Sequence, residues 1–348
     1  MSFWTYHHFL NFELHPFSTL NCQLFYSRIA NDAMSISKKL LLPDQIAETD
    51  LSYFNSVGYL DWFHSGVSRL RSGFESLLSI GNTDKGFICA AKATIYSIFS
   101  GEKKLTLLLD EIEYYLHLLK TYNNEITRRL LMICRRTVSL LIDKGETTMV
   151  RANDDTREGD ATPHFGLDLV WFTGTIQNYW LGYDERCCHF AKKCFDSFPS
   201  PGREYRCIVL FYYGLTLIDM QKEKMITRRK TEINKIVSSI RVAESHANSN
   251  FRNKLELLQA EQYALVGKYN HAVRAYDAAI ASAKKSEFIH ELGLACEKAG
   301  FFFKRFRIVN SAIRYFEQAR ICYDEWGSRM KVGMIERELS ALKEGRAY

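Results

Sequence analysis

Proline is scarce in this chain, 5 residues in 348, so few points force the backbone out of a helix. Nucleotide chemistry lacks its usual marks. No G-x-x-x-x-G-K-[ST] loop cradles a phosphate, and no His-Arg-Asp with Asp-Phe-Gly set builds a kinase site. Nor does any Ser/His/Asp set occur in a recognisable local context. The nine cysteines form no C-x-x-C pair, and their odd number argues against a complete disulfide framework. The first residues, MSFWTYHHFLNFELHPF, have neither the basic region nor the apolar run of a secretory signal. The longest weakly charged stretch, ATPHFGLDLVWFTGTIQNYWLGY, carries Asp168, Gln177 and Asn178 where a bilayer core would lie. It reads as a buried helix, and the chain is expected to be cytoplasmic with no membrane partner.

What is present favours helices: 47% hydrophobic and 14% aromatic residues, with charge nearly balanced at +6. The length exceeds the usual single-domain range of about 100–150 residues, which suggests two domains or an elongated array. Basic residues gather at Arg128, Arg129, Arg135 and Arg136, at Arg228, Arg229 and Lys230, and at Lys304, Arg305 and Arg307. Each cluster is short and set among apolar residues at helical spacing, which reads as a wet helix face. A nucleic-acid partner would call for longer basic stripes. Cys187, Cys188, His189, Cys194 and Cys207 are the one group that suggests zinc, but they lack the paired short spacing of zinc sites and read better as small packing residues. Asp110, Glu111 and Glu113 read as solvated. No metal, cofactor or small-molecule substrate is indicated.

The helical pattern runs along most of the chain. A weak helix pair is expected over 9–42, closed by Pro43, and a stronger helical pattern runs from Leu51 to Ile80. Helices follow at about 84–99, 102–121 and 125–143. Between 145 and 164 the composition turns polar, which marks an exposed loop and a boundary. Beyond it, helices are expected at 165–180, at about 185–195 with Cys187, Ala191 and Cys194 at its small positions, and at 205–220, 226–247 and 330–343. The expected organisation is N-terminal helices over 1–50, degenerate repeats over 51–144, a linker over 145–164, clearer repeats over 165–329 and a capping helix with tail over 330–348.

From Lys254 to Gly327 a helical hairpin occurs twice. Ala260, Tyr263, Ala272, Tyr276 and Ala279 fall on Gly300, Phe303, Ala312, Phe316 and Ala319, always 40 residues apart. Small residues let helix backbones approach, and aromatics fill the grooves between hairpins. With the turn Gly267-Lys268-Tyr269, the pattern resembles the tetratricopeptide repeat, although that repeat spans roughly 34 residues and closes on a proline. The resemblance implies an all-α fold, an α-solenoid of tetratricopeptide-like hairpins. Its partner would be a protein or peptide held in a groove on the inner helices. By helical phase, Glu256, Gln259, Gln262, Glu291 and Lys298 are the expected surface residues of that groove.

The run from Tyr315 to Trp326-Gly327, followed by Lys331-Val332, is similar to the closing repeat of a more specific helical region. That region belongs to multidomain signalling proteins joining a serine/threonine kinase-like domain, an ATPase domain, a GAF domain and a sensor histidine kinase. Phe99-Ser100-Gly101-Glu102 and Leu181-Gly182-Tyr183 fit the same region. The resemblance implies a non-catalytic coupling or sensing scaffold, or a fragment or separated subunit of such a protein. Ser245-His246-Ala247 lacks the rest of a phosphoacceptor box, so none of the catalytic residues of those proteins carries over. A repeat that binds RNA through the basic clusters is the remaining alternative.

Overall fold

The computed structural model describes residues 28–29, 31–33, 35–36, 39, 43–56, 58–122, 124–143, 167–197, 204–222 and 229–345. The helix pair expected over 9–42 falls almost wholly outside these residues, as does the polar stretch 145–164. Among the described residues the chain is all-helical, without a strand. Its first half comprises α1 (Pro43–Ser56), α2 (Phe63–Ser79), α3 (Thr83–Ser100), α4 (Leu105–Leu118) and α5 (Glu125–Ile142). The second half comprises α6 (Leu167–Trp180), α7 (Asp184–Ser197), α8 (Glu204–Lys222), α9 (Lys230–His246), α10 (Asn248–Leu265), α11 (Tyr269–Lys285), α12 (Ile289–Arg305), α13 (Val309–Trp326) and α14 (Arg329–Lys343).

The helical pattern from Leu51 to Ile80 is broken into two helices. A short 3₁₀ turn, Gly58–Leu60, intervenes. A Cβ at Gly58 would collide with the Phe54 ring and come within 2.8 Å of the Tyr96 hydroxyl, so the chain bends where only glycine fits. Pro43, expected to end a helix, opens one. The first helical position tolerates proline because its missing N–H would have had no intrahelical partner.

One turn is used repeatedly. In the second half, left-handed residues recur every 20 positions, at Gly267, Glu287, Arg307 and Gly327. At each, the following N–H reaches back to the same carbonyl of the preceding helix: Lys268 to Tyr263 at 2.9 Å, Phe288 to Ala283 at 3.1 Å, Ile308 to Phe303 at 3.0 Å and Ser328 to Tyr323 at 2.9 Å. These are Schellman caps. Gly81 and Gly182 close α2 and α6 in the same way, through Asn82 to Leu77 and Tyr183 to Asn178. The 40-residue offset is therefore two helix-plus-turn units of equal length, and no proline is needed to close them.

Each helix packs on the next, and α3 also packs on α5, α6 on α8, α8 on α10 and α10 on α12. The central helices are buried on nearly every side. In α6 all of 172–180 is buried, and in α12 almost all of 290–300. In contrast, α11 and α13 bury one stripe each, Ala272, Tyr276 and Ala279 in α11 and Ala312, Phe316 and Ala319 in α13. Where α12 meets α13 the backbones approach closely, and a Cβ on Gly300 would come 2.7 Å from the Phe316 ring.

The first half is fastened to the second. Asn250 of α10 accepts from the Phe63 N–H at 3.1 Å and donates to the Tyr59 and Asp61 carbonyls at 3.0 and 2.5 Å. The Trp62 indole donates to the Ser286 carbonyl at 3.1 Å. At the other end the Ser328 hydroxyl donates to the Leu141 carbonyl at 2.5 Å, and α14 packs on α5.

The turn geometry makes a direct prediction. No atom lies within 4 Å of a Cβ added at Gly267, so Gly267→Ala carries only the left-handed strain, and urea unfolding should show a loss of about 1 kcal/mol. Arg307, exposed and already left-handed, should respond oppositely, with Arg307→Gly neutral or stabilising by about 0.5 kcal/mol.

Candidate functional site

Helices buried on nearly every side leave little wet face for polar residues, yet α10 and α12 carry many in their buried stretches. Asn250, Asn253, Lys254 and Glu261 of α10 are buried, as are His290, Glu291 and Glu297 of α12 and Lys331 of α14. Charged groups in such places must be paired.

Two networks pair them. In the first, the Lys254 ammonium, wholly buried, lies 2.7 Å from Glu291 and donates to the Asn250 carbonyl at 2.8 Å. Asn253 donates to the same Glu291 carboxylate. The ammonium also sits 4.6 Å from the centre of the Phe288 ring. Burial pulls the Lys254 pKa down, and Glu291 draws it partly back. Beside this pair is His290, wedged against Gly101, 5.2 Å from the Trp326 ring, with neither ring nitrogen hydrogen-bonded among the described residues. Burial holds its pKa well below the ordinary value, and the charges of Lys254 and His64 push the same way.

In the second network, Lys222 of α8 and Tyr276 of α11 both bond Glu261, and Lys222 lies 3.6 Å from Asp219. Lys298 of α12 donates to Asp219 at 2.5 Å. Lys331 donates to Glu297 at 2.7 Å, and Tyr323 donates to the other oxygen of that carboxylate. Lys298 and Asp219 keep each other ionised despite burial, the lysine raised and the aspartate lowered.

Two cavities flank the networks. The larger, about 820 Å³, opens where the ends of α10 and α11 meet Trp62, and Arg252, Glu256, Lys285 and Ser282 line it. The smaller, about 460 Å³, lies along the second network between α6, α8, α10, α12 and α14.

The residues expected in a groove are dispersed. Glu256 lines the larger cavity, accepting from Arg252 at 3.0 Å and Ser282 at 2.5 Å. Lys298 lines the smaller. Gln262 donates to Asn234 of α9 at 3.1 Å, and Gln259 is half-buried. Glu291 was expected on the surface and is instead in the core, because residues 59–64 of the first half cover that face of α10 and α12. Among the repeat positions, Ala260, Phe303 and Trp326 are buried, and Tyr263 and Tyr269 are half-buried against His271 and Phe302. Gly267 and Gly327 are turn residues.

Other sequence features take structural places. Among the described residues no group of three or more His, Cys, Asp or Glu could hold a metal, and no helix is long and apolar enough to cross a membrane. The Cys187 sulfur sits 3.2 Å from the Thr216 hydroxyl. Burial pushes the thiols of Cys89, Cys134 and Cys296 up to about 12 and those of Cys188 and Cys207 up to about 11, so none of these is a thiolate nucleophile near neutral pH. Acids sit beside the basic clusters: Glu125 holds Arg128 and Arg129, Glu113 holds Arg135, and Glu338 holds Lys304. Glu111 is bound by Arg71, Lys103 and Tyr115.

Sequence reasoning missed Asp219, Lys222, Glu261, Glu297 and Lys331. The available signal was an ionisable residue inside an otherwise apolar helix, as with Asp219 after Phe211-Tyr212-Tyr213-Gly214-Leu215-Thr216-Leu217-Ile218. No family model matches this chain, and no curated protein is significantly similar to it.

Two predictions follow from the buried charges. Lys254→Met should cost about 3–5 kcal/mol in chemical denaturation by leaving Glu291 unpaired, and adding Glu291→Leu should recover most of that loss. His290 is neutral when folded and titrates near 6.5 when unfolded, so below pH 6.5 the unfolded state binds the extra proton. Stability should therefore fall with pH below about 6.5, with His290 contributing up to about 1.4 kcal/mol per pH unit. His290→Phe should remove that contribution and leave the smaller one from His64, whose pKa burial also lowers.

Proposed function

We propose that this chain is a non-catalytic helical-repeat scaffold, an α-solenoid of tetratricopeptide-like hairpins that holds a peptide segment of a protein partner. The observation carrying this reading is the 20-residue recurrence of helix and Schellman turn through Gly267, Glu287, Arg307 and Gly327, which makes α10 to α13 two copies of one hairpin. The larger cavity supports a peptide site. Its size is that of a ligand pocket, and it presents Trp62 beside the cations of Arg252 and Lys285 and the carboxylates of Glu256 and Glu287. Such a mixed rim suits a peptide bearing an apolar anchor flanked by charge.

A narrower form of the proposal rests on the likeness of Tyr315–Gly327 and Lys331-Val332 to the closing repeat of kinase, ATPase and histidine-kinase signalling proteins. There the scaffold would couple or sense, and the chemistry would belong to other polypeptides or domains.

The test is selection of random peptides displayed on phage against the full chain, followed by fluorescence anisotropy of the enriched sequences. Peptides with an aromatic or aliphatic anchor and an acidic neighbour should emerge, and Arg252→Glu with Lys285→Glu should weaken them at least about tenfold. Peptides bound equally by that double variant, or no enrichment at all, would remove the cavity from the reading. In parallel the chain incubated with ATP should leave the nucleotide intact, and turnover would overturn the non-catalytic assignment.

A further inference from the structure

The turns of the repeat differ between the two ends of the array. At one end, the turns after α11 and α13 are covered by the first half of the chain: Phe288 stacks on His64, and Trp326 is buried next to Ser328, which donates to the Leu141 carbonyl. At the other end, the turns after α10 and α12 present apolar side chains to solvent. Val266 is 57% exposed, Phe306 41% and Ile308 37%. The turn itself accounts for Ile308 alone. A Schellman cap pairs the residue after its left-handed position with an apolar residue of the last helical turn, and Ile308 and Phe288 hold that place. Val266 and Phe306 precede the left-handed residue, where the same turn accepts Ser286. Tyr269, half-buried, packs on Phe306 with ring centres 5.0 Å apart and joins the two tips.

Charge separates the two ends in the same way. Residues 264–268 and 304–308 hold four cations, Lys268, Lys304, Arg305 and Arg307, and no acid. The matching residues of the opposite turns, 284–288 and 324–328, hold two cations and three acids. Successive helices run antiparallel, so α10, α12 and α14 end on the same side, and the acids that α14 brings there are Glu338, which takes Lys304, and Glu344. Lys268 and Arg305 are exposed and form no ion pair among the described residues.

We propose that this end of the array rests on an anionic lipid surface, with Val266, Phe306 and Ile308 entering the headgroup layer and Lys268 and Arg305 meeting the acidic headgroups. Basic residues beside such a membrane gain from its negative potential, and apolar side chains among them add the burial that holds the contact. Side chains standing out at turn tips suit a fluid layer that yields to them, whereas a protein partner would need a matching hollow for each. A neutral bilayer would leave the cations without a counterpart, and a nucleic-acid backbone would leave Val266 and Ile308 in water. A contact of this kind does not cross the bilayer, so the want of a long apolar helix among the described residues does not count against it. The larger cavity is lined by Lys285 and Ser286 at the far end of α11, about 25 Å away. The lipid contact therefore goes beyond the scaffold reading and leaves that cavity facing solution.

The experiment is sedimentation of the full chain with vesicles of phosphatidylcholine alone and of phosphatidylcholine with about one-third phosphatidylserine, at about 0.1 M salt. The chain should pellet with the anionic vesicles and stay in solution with the neutral ones. Lys268→Gln with Arg305→Gln should weaken anionic-vesicle binding at least about tenfold. Lys284→Gln with Arg329→Gln, the same loss of charge at the opposite end, should leave it within about twofold. Phe306→Ser should weaken it about fivefold. The four charged positions are exposed, so both double variants should melt with the parent chain, and Phe306→Ser is compared once circular dichroism shows it folded. The proposal is overturned if the chain does not sediment with the anionic vesicles, if it sediments equally with the neutral ones, if the two double variants lose affinity alike, or if folded Phe306→Ser binds as the parent does.

Discussion

The constraint on which this fold depends is that the middle stretches of α6, α8, α10 and α12 are covered on nearly every side. A helix in that position cannot leave a carboxylate or an ammonium to water, and desolvating either group alone costs several kcal/mol. The chain meets the constraint by pairing acids and bases from helices distant in sequence: Lys254 of α10 with Glu291 of α12, Lys222 of α8 with Glu261 of α10, and Lys331 of α14 with Glu297 of α12. Apolar residues would stabilise the same contacts at least as well. What the pairs add is register. A helix displaced by one residue loses little hydrophobic area but leaves a charge unpaired, so the ionic seam singles out one alignment among many of similar packing energy.

The turns impose the second constraint. A left-handed residue followed by a 6→1 bond ends a helix sharply and sends the chain back antiparallel. Spacing such turns every 20 residues gives helices of 17 or 18 residues over α11 to α13. Two of the four turns use residues other than glycine. Glu287 and Arg307 accept the strain because the helices on either side are held by packing, with Phe288 and Phe303 buried next to the turns. The repeat is thus set more by where the helices pack than by glycine itself.

This explains what could be read from the sequence. Helix content and the approximate places of α3 to α14 followed from the period of Leu, Ile, Phe and Ala, and the 40-residue hairpin copy followed from small and aromatic residues at matching offsets. The half-length unit was hidden, because Glu287 and Arg307 carry no turn signal. The break at Gly58 was hidden too. It depends on the Phe54 and Tyr96 rings, which come from helices on either side of it. The candidate site was the least legible part. Helical phase placed Glu291 outside because amphipathic reasoning assumes that a charged face is a wet one, and only the packing of residues 59–64 against α10 and α12 reverses that. Asp219 and Glu297 become recognisable as wall residues only when their partners on other helices are known.

The same packing bears on how a helical array of this kind can bind anything. In an open array, the inner helices offer their polar residues to a partner. Here much of that polar inner surface, Asn250, Asn253, Lys254 and Glu291, is bonded within the chain, by residues of α10, α12 and the 59–63 turn, although Asn253 Oδ1 and Glu291 Oε1 have no hydrogen-bond partner among the described residues. A partner displacing those contacts would have to replace buried, charge-assisted hydrogen bonds one for one. Recognition is therefore expected where the internal pairing stops, as at the larger cavity, which is rimmed by exposed charge beside Trp62. The polar seam that aligns the helices also confines binding to its edges, where exposed charge meets apolar wall.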